Sequence, residues 1–250
     1  MGFPHTEQHI PLLYDILNIK NNYRDAWIVL GYAYLNINKP DDAIDALTQA
    51  KDLTPEKPET LFYLGLAYFN KNDLDKAIYY IEKADKQGYE PKDQINLKLG
   101  DLYLLKKDYQ KSADSYENVI SKNTKNLDIF VRAIWLNIEQ LDQPEKALAL
   151  SQKALETHPN EAMSYNLLGW SYTALGKYDE AKKDLDIAIS MQPDLDAANL
   201  NYGWLSEKSG DATEAKAYYK KAYALGHGNS VSKLAATRYN SLNQNGLISR

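Results

Sequence analysis

The chain has 250 residues and a formal net charge of −5, and its composition is 44% hydrophobic and 25% charged. This balance is typical of an ordered protein and excludes a largely disordered chain. Lysine and acidic residues are interleaved without a basic run, so we expect no nucleic-acid binding. The absence of cysteine excludes disulfides and thiolate chemistry. No apolar run approaches the length of a membrane span.

The first predicted element is a helix near the N-terminus, within residues 7–18. Apolar side chains recur there at helical spacing. They are Ile10, Leu13, Ile16 and Leu17. We expect residues 1–23 to form a capping helix with one polar side, because an array of repeats leaves an apolar face open at each end.

The region that follows contains glycine at a nearly constant interval. The residues are Gly31, Gly65, Gly100, Gly169 and Gly203, and the intervals between them are 34, 35, 69 and 34 residues. Ile134 occupies the position that the double interval leaves without glycine. A period of this length predicts an array of structural repeats.

Each glycine belongs to a longer frame that predicts two helices. The frame is clearest in two segments, which contain Trp27, Leu30, Gly31, Tyr34, Ala43, Leu47, Ala50 and Pro55, and Tyr165, Leu168, Gly169, Tyr172, Ala181, Leu185, Ala188 and Pro193. At about 100° per residue, the first four positions share one face of a helix, and the next three share one face of a second helix. Small residues recur where two helix axes approach closely, and large residues fill the space around the crossing.

This frame resembles that of the tetratricopeptide repeat family, whose unit is two antiparallel helices in about 34 residues. The resemblance implies an all-α fold, a right-handed α-solenoid of six helix-turn-helix repeats with N- and C-terminal capping helices. Within residues 24–229, the predicted repeats are 24–57, 58–92, 93–126, 127–161, 162–195 and 196–229. Three repeats depart from the frame: the third has Ser112 and Val119 at its small positions, the fourth has Ile134 for glycine and Asn137 for tyrosine, and the sixth has Ser206 for tyrosine.

The repeat ends and the C-terminal flank give further predictions. Gly88 and Gly226 end the second and sixth repeats without proline, and each is predicted to adopt the left-handed conformation that closes a helix. Residues 230–250 are predicted to contain the C-terminal capping helix. Its helically spaced residues are Val231, Leu234, Ala235, Tyr239 and Leu242.

The sequence contains no recognisable catalytic motif. It has no glycine-rich phosphate loop, no Gly-x-Ser-x-Gly and no Cys/His cluster. His5 and His9 have a spacing that can chelate a metal, but no third ligand is apparent. Acidic pairs such as Asp41 and Asp42 suit the dipole at the start of a helix. We therefore interpret the chain as a non-enzyme with no catalytic residue, metal or cofactor.

Tryptophan recurs one residue after the glycine position. Trp135, Trp170 and Trp204 occupy this place in three consecutive repeats, and the chain has only four tryptophans. On a helical wheel, Trp170 points well away from the stripe that contains Gly169. In the resembling family, first helices line the concave face, which implies that this place points into a groove.

Other predicted groove positions mix aromatic, amide and basic side chains. They are Tyr32, Phe62, Phe69, Asn36, Asn70, Arg132, Asn166 and Asn201. Aromatic faces bury apolar side chains and asparagine amides pair with peptide N–H and C=O groups, so the mixture suits an extended peptide. The expected groove charges are mostly acidic, which favours an apolar, neutral-to-basic protein segment as the partner.

Several alternatives are open at the level of sequence. The tryptophans can instead stack between neighbouring first helices as packing residues. The chain can be an assembly scaffold that forms a homo-oligomer, with the Tyr79–Tyr80 and Tyr218–Tyr219 pairs in the contact surface. It can also be the repeat segment of a larger protein. A cytoplasmic location is favoured, and a periplasmic or secreted one after signal removal stays open.

Overall fold

A computed structural model describes residues 6–122 and 124–248, and it describes side chains over residues 8–122 and 124–243. Residues 1–5, which include His5 and the start of the predicted N-terminal cap, lie outside the described residues. Every regular element in the described ranges is a helix. The chain divides into two compact units, residues 1–122 and 123–250.

The first unit consists of one helix followed by three helix pairs. The leading helix is α1 (Thr6–Ile19), and the pairs are α2 (Arg24–Asn36) with α3 (Pro40–Leu53), α4 (Pro58–Asn70) with α5 (Leu74–Lys86), and α6 (Lys92–Leu105) with α7 (Tyr109–Ser121). Proline occupies the first position of α3 and α4, where its missing N–H costs no hydrogen bond. The carboxylates of Asp73 and Asp108 cap α5 and α7.

The second unit consists of three helix pairs followed by one helix. The pairs are α8 (Leu127–Trp135) with α9 (Pro144–Thr157), α10 (Ala162–Ala174) with α11 (Tyr178–Met191), and α12 (Asp196–Ser209) with α13 (Ala212–Leu225). A π-turn over Leu136–Gln140 continues α8, and α14 (Ser230–Ile248) ends the unit. The first helices α8, α10 and α12 pack in sequence, and α14 packs on both α12 and α13.

The periodic glycines lie where the two helices of a pair approach most closely. A methyl group on Gly169 would lie 2.5 Å from Leu185 Cγ, and one on Gly203 would lie 2.6 Å from Cδ1 of the Tyr219 ring. Gly31 faces Leu47 in the same way. The glycine on the first helix therefore makes room for a large side chain on the second, and the period of the sequence is a packing constraint.

In the fourth pair the large residue lies on the first helix and the small residue lies on the second. Ile134 replaces glycine on α8, and Ser151 occupies the place on α9 that Leu185 has on α11; both residues are fully buried. Ala147 follows Ile134 by 13 residues, whereas Ala181 follows Gly169 by 12. The π-turn absorbs the extra residue, since each such turn adds one residue to the helical ladder.

The two repeat ends without proline differ from each other. Gly88 has a φ of 82° and is left-handed, as predicted. The prediction for Gly226 is wrong, because its φ is −75° and the left-handed residues are His227 and Gly228. A methyl group on Gly226 would lie 2.6 Å from Asn229 Oδ1, so this position needs glycine for the close approach of α14 rather than for its own φ.

The flanking helix α1 packs on the first unit through Leu17, Leu13 and Ile10. Ile16 was expected to pack with them, but it is 42% exposed. It lies one turn from Leu12 on the outer face, where Leu12 and Ile19 are also exposed. The outer face of α1 is therefore partly apolar rather than wholly polar.

Most of the paired tyrosines belong to the core. Tyr219 is fully buried, Tyr218 stacks on Tyr202 with 4.1 Å between ring centroids, and Tyr80 stacks on Tyr68. Of the residues named for a contact surface, only Tyr79 is exposed. Their size and planarity fill the spaces between helices, so tyrosine abundance here reflects packing.

We expect Gly169→Ala to lower the free energy of unfolding by about 1–3 kcal/mol, because the added methyl group overlaps Leu185. Leu185→Ala should cost about 2–5 kcal/mol by leaving a cavity. The double variant should cost less than the sum, since the methyl group fills part of that cavity. Urea denaturation of the four proteins measures the coupling, and strictly additive losses would contradict the close contact.

We also expect stability to fall at alkaline pH. Burial raises the pKa of Tyr89 to about 12, and burial with the Tyr14 hydrogen bond raises the pKa of Tyr34 to about 12. Tyrosines of the unfolded chain ionise near pH ~10, so between pH ~10 and ~12 the folded state holds more protons and its stability decreases as pH rises. Tyr89→Phe keeps the ring that stacks on Phe62 and removes the ionisation. Its stability should fall less steeply over this window in urea denaturation, and a slope equal to that of the wild type would contradict the assignment.

Candidate functional site

The three periodic tryptophans lie in one cleft of the second unit, with a volume of about 420 Å³. The first helices α8, α10 and α12 contribute them, one from each. Six of the predicted groove residues line this cleft. They are Arg132, Trp135, Asn166, Trp170, Asn201 and Trp204. We call this feature the tryptophan cleft.

The position of each indole follows from the packing of its helix. Gly169 faces α11, so the next residue, Trp170, is rotated by about 100° toward the open side of α10. Trp204 follows Gly203 on α12 in the same way, and Trp135 follows the equivalent Ile134 on α8. All three indoles are half-buried, so each packs on its neighbours and also presents part of its surface to the cleft.

Two asparagine amides are joined at the base of the cleft. Asn201 Nδ2 donates a hydrogen bond of 2.9 Å to Asn166 Oδ1, and both side chains are almost completely buried. Among the described residues, Asn166 Nδ2 has only the weak acceptor Met163 Sδ, at 3.3 Å. Within the described parts of the chain, Asn201 Oδ1 accepts no hydrogen bond. The pair therefore retains both a donor and an acceptor for a group that enters the cleft.

Trp204 is also held by cations of its own unit. The Lys208 ammonium lies 5.8 Å from the ring centroid and the Arg238 guanidinium lies 5.5 Å from it, which are cation–π distances. Arg238 Nη1 also lies 3.6 Å from Glu207 Oε2. Glu207 accepts a hydrogen bond from the buried Tyr219 hydroxyl, whose pKa is raised by burial and then by this bond. These contacts fix Trp204 and Arg238 together at one side of the cleft.

A second, more polar cleft of about 440 Å³ adjoins the first. The two clefts share Trp204 and Glu139. The second one adds the carboxylate of Asp142, the ammonium of Lys208 and the ring of Tyr178. The π-turn places Glu139 between the two clefts, so the open side of α8 changes from apolar to acidic at this point.

The predicted groove residues of the first unit are not among the residues that line this cleft. Phe62 is only 5% exposed and stacks on Tyr89 at 4.2 Å, so its assignment to an open groove is wrong: the chain after Gly88 folds over its ring. Tyr32 is exposed and its ring lies 5.4 Å from that of Tyr63. Phe69 is half-buried beneath the Lys98 ammonium, Asn36 is half-buried, and Asn70 is exposed.

Sequence reasoning missed the contribution of α14 to the tryptophan cleft. Ser230, Val231, Leu234 and Arg238 all line it. The sequence placed this helix as a cap, with Leu234 among its packing residues. The missed signal is the i, i+4, i+8 spacing of Ser230, Leu234 and Arg238, which defines a second face beside the packing face.

Comparison with known families agrees with the helix pairs. A sequence profile described as tetratricopeptide repeat matches residues 28–91 and 166–230, and a second profile with that description matches residues 93–125. The chain belongs to the tetratricopeptide repeat family. The matched ranges omit the fourth tetratricopeptide pair, in which Ile134, Ser151 and the π-turn depart from the frame.

Individual relatives of this tetratricopeptide protein are distant. The peroxisomal targeting signal receptor of Saccharomyces cerevisiae is 23% identical over 221 residues, which are 86% of this chain and 36% of the receptor. This chain therefore spans about a third of that relative's length.

Solved structures share the tetratricopeptide fold. The C-terminal part of a TPR repeat-containing protein from Cytophaga hutchinsonii has a TM-score of 0.70 and 18% identity, covering 92% of this chain and 94% of that one. YrrB, described as a TPR protein with an unusual peptide-binding site, has a TM-score of 0.55 and 21% identity, covering 78% of this chain and 99% of its own. At these identities the likeness shows the fold alone.

The described residues contain neither a metal-binding cluster nor a helix suited to a membrane. No three side chains of His, Cys, Asp or Glu in those ranges lie close enough together to hold a metal ion. None of the helices there has the length and apolar character that crossing a bilayer requires.

Proposed function

We propose that this protein is an interaction scaffold that binds an extended segment of a partner protein in the tryptophan cleft. Its tetratricopeptide repeats support the general role of a protein–protein interaction scaffold without catalysis of its own. The observation that carries the more specific proposal is the convergence of Trp135, Trp170 and Trp204 on one cleft above the Asn166–Asn201 amide pair.

An apolar segment fits the surface of this cleft. Indole rings bury large areas of apolar side chain and lose little conformational entropy, which makes them frequent anchors at protein interfaces. Val131 and Met163, which are half-buried, extend the apolar surface beside them. A partner that places two apolar side chains against Trp135 and Trp170 would remove both indoles from water.

The amide pair favours an extended partner over a helical one. Backbone N–H and C=O groups in the middle of a helix are already paired, whereas an extended strand carries both groups free. Asn201 Oδ1 can accept from a partner N–H, and Asn166 Nδ2 can donate to a partner C=O. A single residue of an extended segment presents its N–H and its C=O on the same side and can satisfy both.

The charged residues that line the two clefts indicate which charge the partner segment should carry. The tryptophan cleft has two guanidinium groups, Arg132 and Arg238, and one carboxylate, Glu139, so a uniformly basic segment does not suit it. Glu139 and Asp142 lie together in the adjoining cleft, where Lys208 is the lining cation. We therefore propose a neutral apolar segment with one basic side chain at the end that reaches Glu139 and Asp142.

Two similar proteins have names that agree with this proposal. YrrB is described as a protein with a peptide-binding site, and the yeast relative is named as a targeting signal receptor. By analogy with them, we propose peptide recognition for this chain, with the ligand chemistry taken from its own residues.

Selection of short random peptides on the full chain tests the proposal. We expect enriched peptides to carry two apolar side chains with lysine or arginine at one end. Trp135→Ala and Trp170→Ala should each weaken their binding by about thirtyfold, because loss of a central aromatic anchor costs about 2 kcal/mol. Isothermal titration calorimetry gives the affinities, and thermal denaturation shows whether each variant keeps its midpoint.

Tyr223→Ala is the matched control, because Tyr223 is a 57% exposed aromatic residue of the same unit that does not line the cleft. It should bind the peptides as the wild type does. Unchanged affinity in both tryptophan variants would refute the cleft as the binding site. A large fall in their thermal midpoints would show instead that the indoles serve mainly as packing.

A further inference from the structure

Helix α14 makes contacts through two neighbouring faces, and Val231 lies at the boundary between them because it packs on the core and also lines the cleft. Val231, Ala235 and Tyr239 recur at i, i+4 and i+8 and pack on the core formed with α13. Ser230, Leu234 and Arg238 have the same spacing one position earlier, and they line the tryptophan cleft. Consecutive positions on a helix differ by about 100°, so one face attaches the helix while the neighbouring face borders the cleft.

The junction before α14 fixes where the helix begins. Gly226 allows a close approach that any side chain would block. Asn229 Oδ1 accepts a hydrogen bond of 2.9 Å from the Ser232 N–H, and Asn229 Nδ2 donates one of 2.7 Å to Asp196 Oδ2 at the start of α12. Ser232 Oγ donates to the Tyr223 carbonyl at 2.9 Å. These bonds tie the first turn of α14 to both helices of the sixth pair.

The cleft-facing side of α14 is held at its other end by Arg238. This guanidinium lies over the Trp204 ring and beside Glu207, which neutralises its charge. Between these two attachments lies Leu234, which is 43% exposed although it sits between Ser230 and Arg238 on a packed helix. Leu234 thus presents an apolar surface to the same space as Trp170 and Leu200.

We propose that α14 is one wall of the peptide site, and that an apolar side chain of the extended partner segment packs against Leu234. This inference rests on the proposed function and adds a specificity element outside the paired repeats. This wall is apolar at Leu234, and the charge of Arg238 is offset by Glu207. Both properties match the neutral apolar segment proposed for the cleft. Arg238 and Trp204 are positioning residues, because they hold α14 against the cleft.

Leu234→Asp tests the wall directly with the peptides selected on the wild type. A carboxylate there would lie beside the partner's apolar side chain, so we expect at least about tenfold weaker binding. Asn240→Asp is the matched control, because Asn240 is exposed on the same helix, lies about 120° around it from Leu234 and does not line the cleft. It should leave the affinity within about twofold of the wild type.

A second measurement separates contact from simple loss of structure. Each apolar residue of the peptide is replaced by alanine in turn, and the loss of affinity is measured for the wild type and for Leu234→Ala. At one peptide position the loss should be smaller for the variant, because the contact with Leu234 is already absent. Arg238→Gln should weaken binding, and Arg238→Lys should restore part of it, since lysine keeps the charge for Glu207 and Trp204.

Wild-type affinity in both Leu234→Asp and Arg238→Gln would overturn the role of α14. The role of α14 would also be overturned if, at every peptide position, alanine caused the same loss of affinity for Leu234→Ala as for the wild type. If Trp135→Ala and Trp170→Ala still weaken binding in that case, the proposed function stands and only the wall is refuted. If the tryptophan variants also bind normally, the cleft itself is refuted.

Discussion

The close contact between a small residue on one helix of a pair and a large residue on the other determines the rest of the structure. Gly169 and Leu185 show it most simply, because a single added methyl group would overlap the leucine. This contact sets the side of the first helix that faces its partner. The next residue in sequence is then directed to the open side, where it is free to take a functional role. In the second unit that residue is tryptophan three times.

The fourth pair shows how far this constraint can vary without loss of the helix pair. Ile134 and Ser151 exchange the sizes of glycine and leucine, and the π-turn accommodates one extra residue. The same turn carries Glu139, which lies between the apolar cleft and the acidic one. A local change in packing and the edge of the candidate site therefore coincide, as is common for π-helical turns.

The repeat and the main site residues could be predicted from the sequence because both follow from a period. Gly169 located Trp170, and the same step located Trp135 and Trp204. Phe62 could not be assigned correctly, because its burial depends on Tyr89, which lies beyond its own helix pair. The roles of Arg238 and Leu234 in the cleft could not be predicted, because α14 lies after the last repeat and its sequence does not have the repeat period. Only tertiary packing decides which face of α14 borders the cleft.

Binding of a partner segment in the tryptophan cleft of the second unit, as we propose, can be observed directly at the indoles. The four indole N–H groups give separate signals in a proton–nitrogen NMR spectrum, and Trp27 is an internal reference because it lies in the first unit, where its Nε1 donates to the Asn21 carbonyl at 2.8 Å. Titration with a selected peptide should shift the signals of Trp135 and Trp170 and leave that of Trp27 in place. Saturating peptide that moves Trp27 alone, or none of the four, would contradict the account.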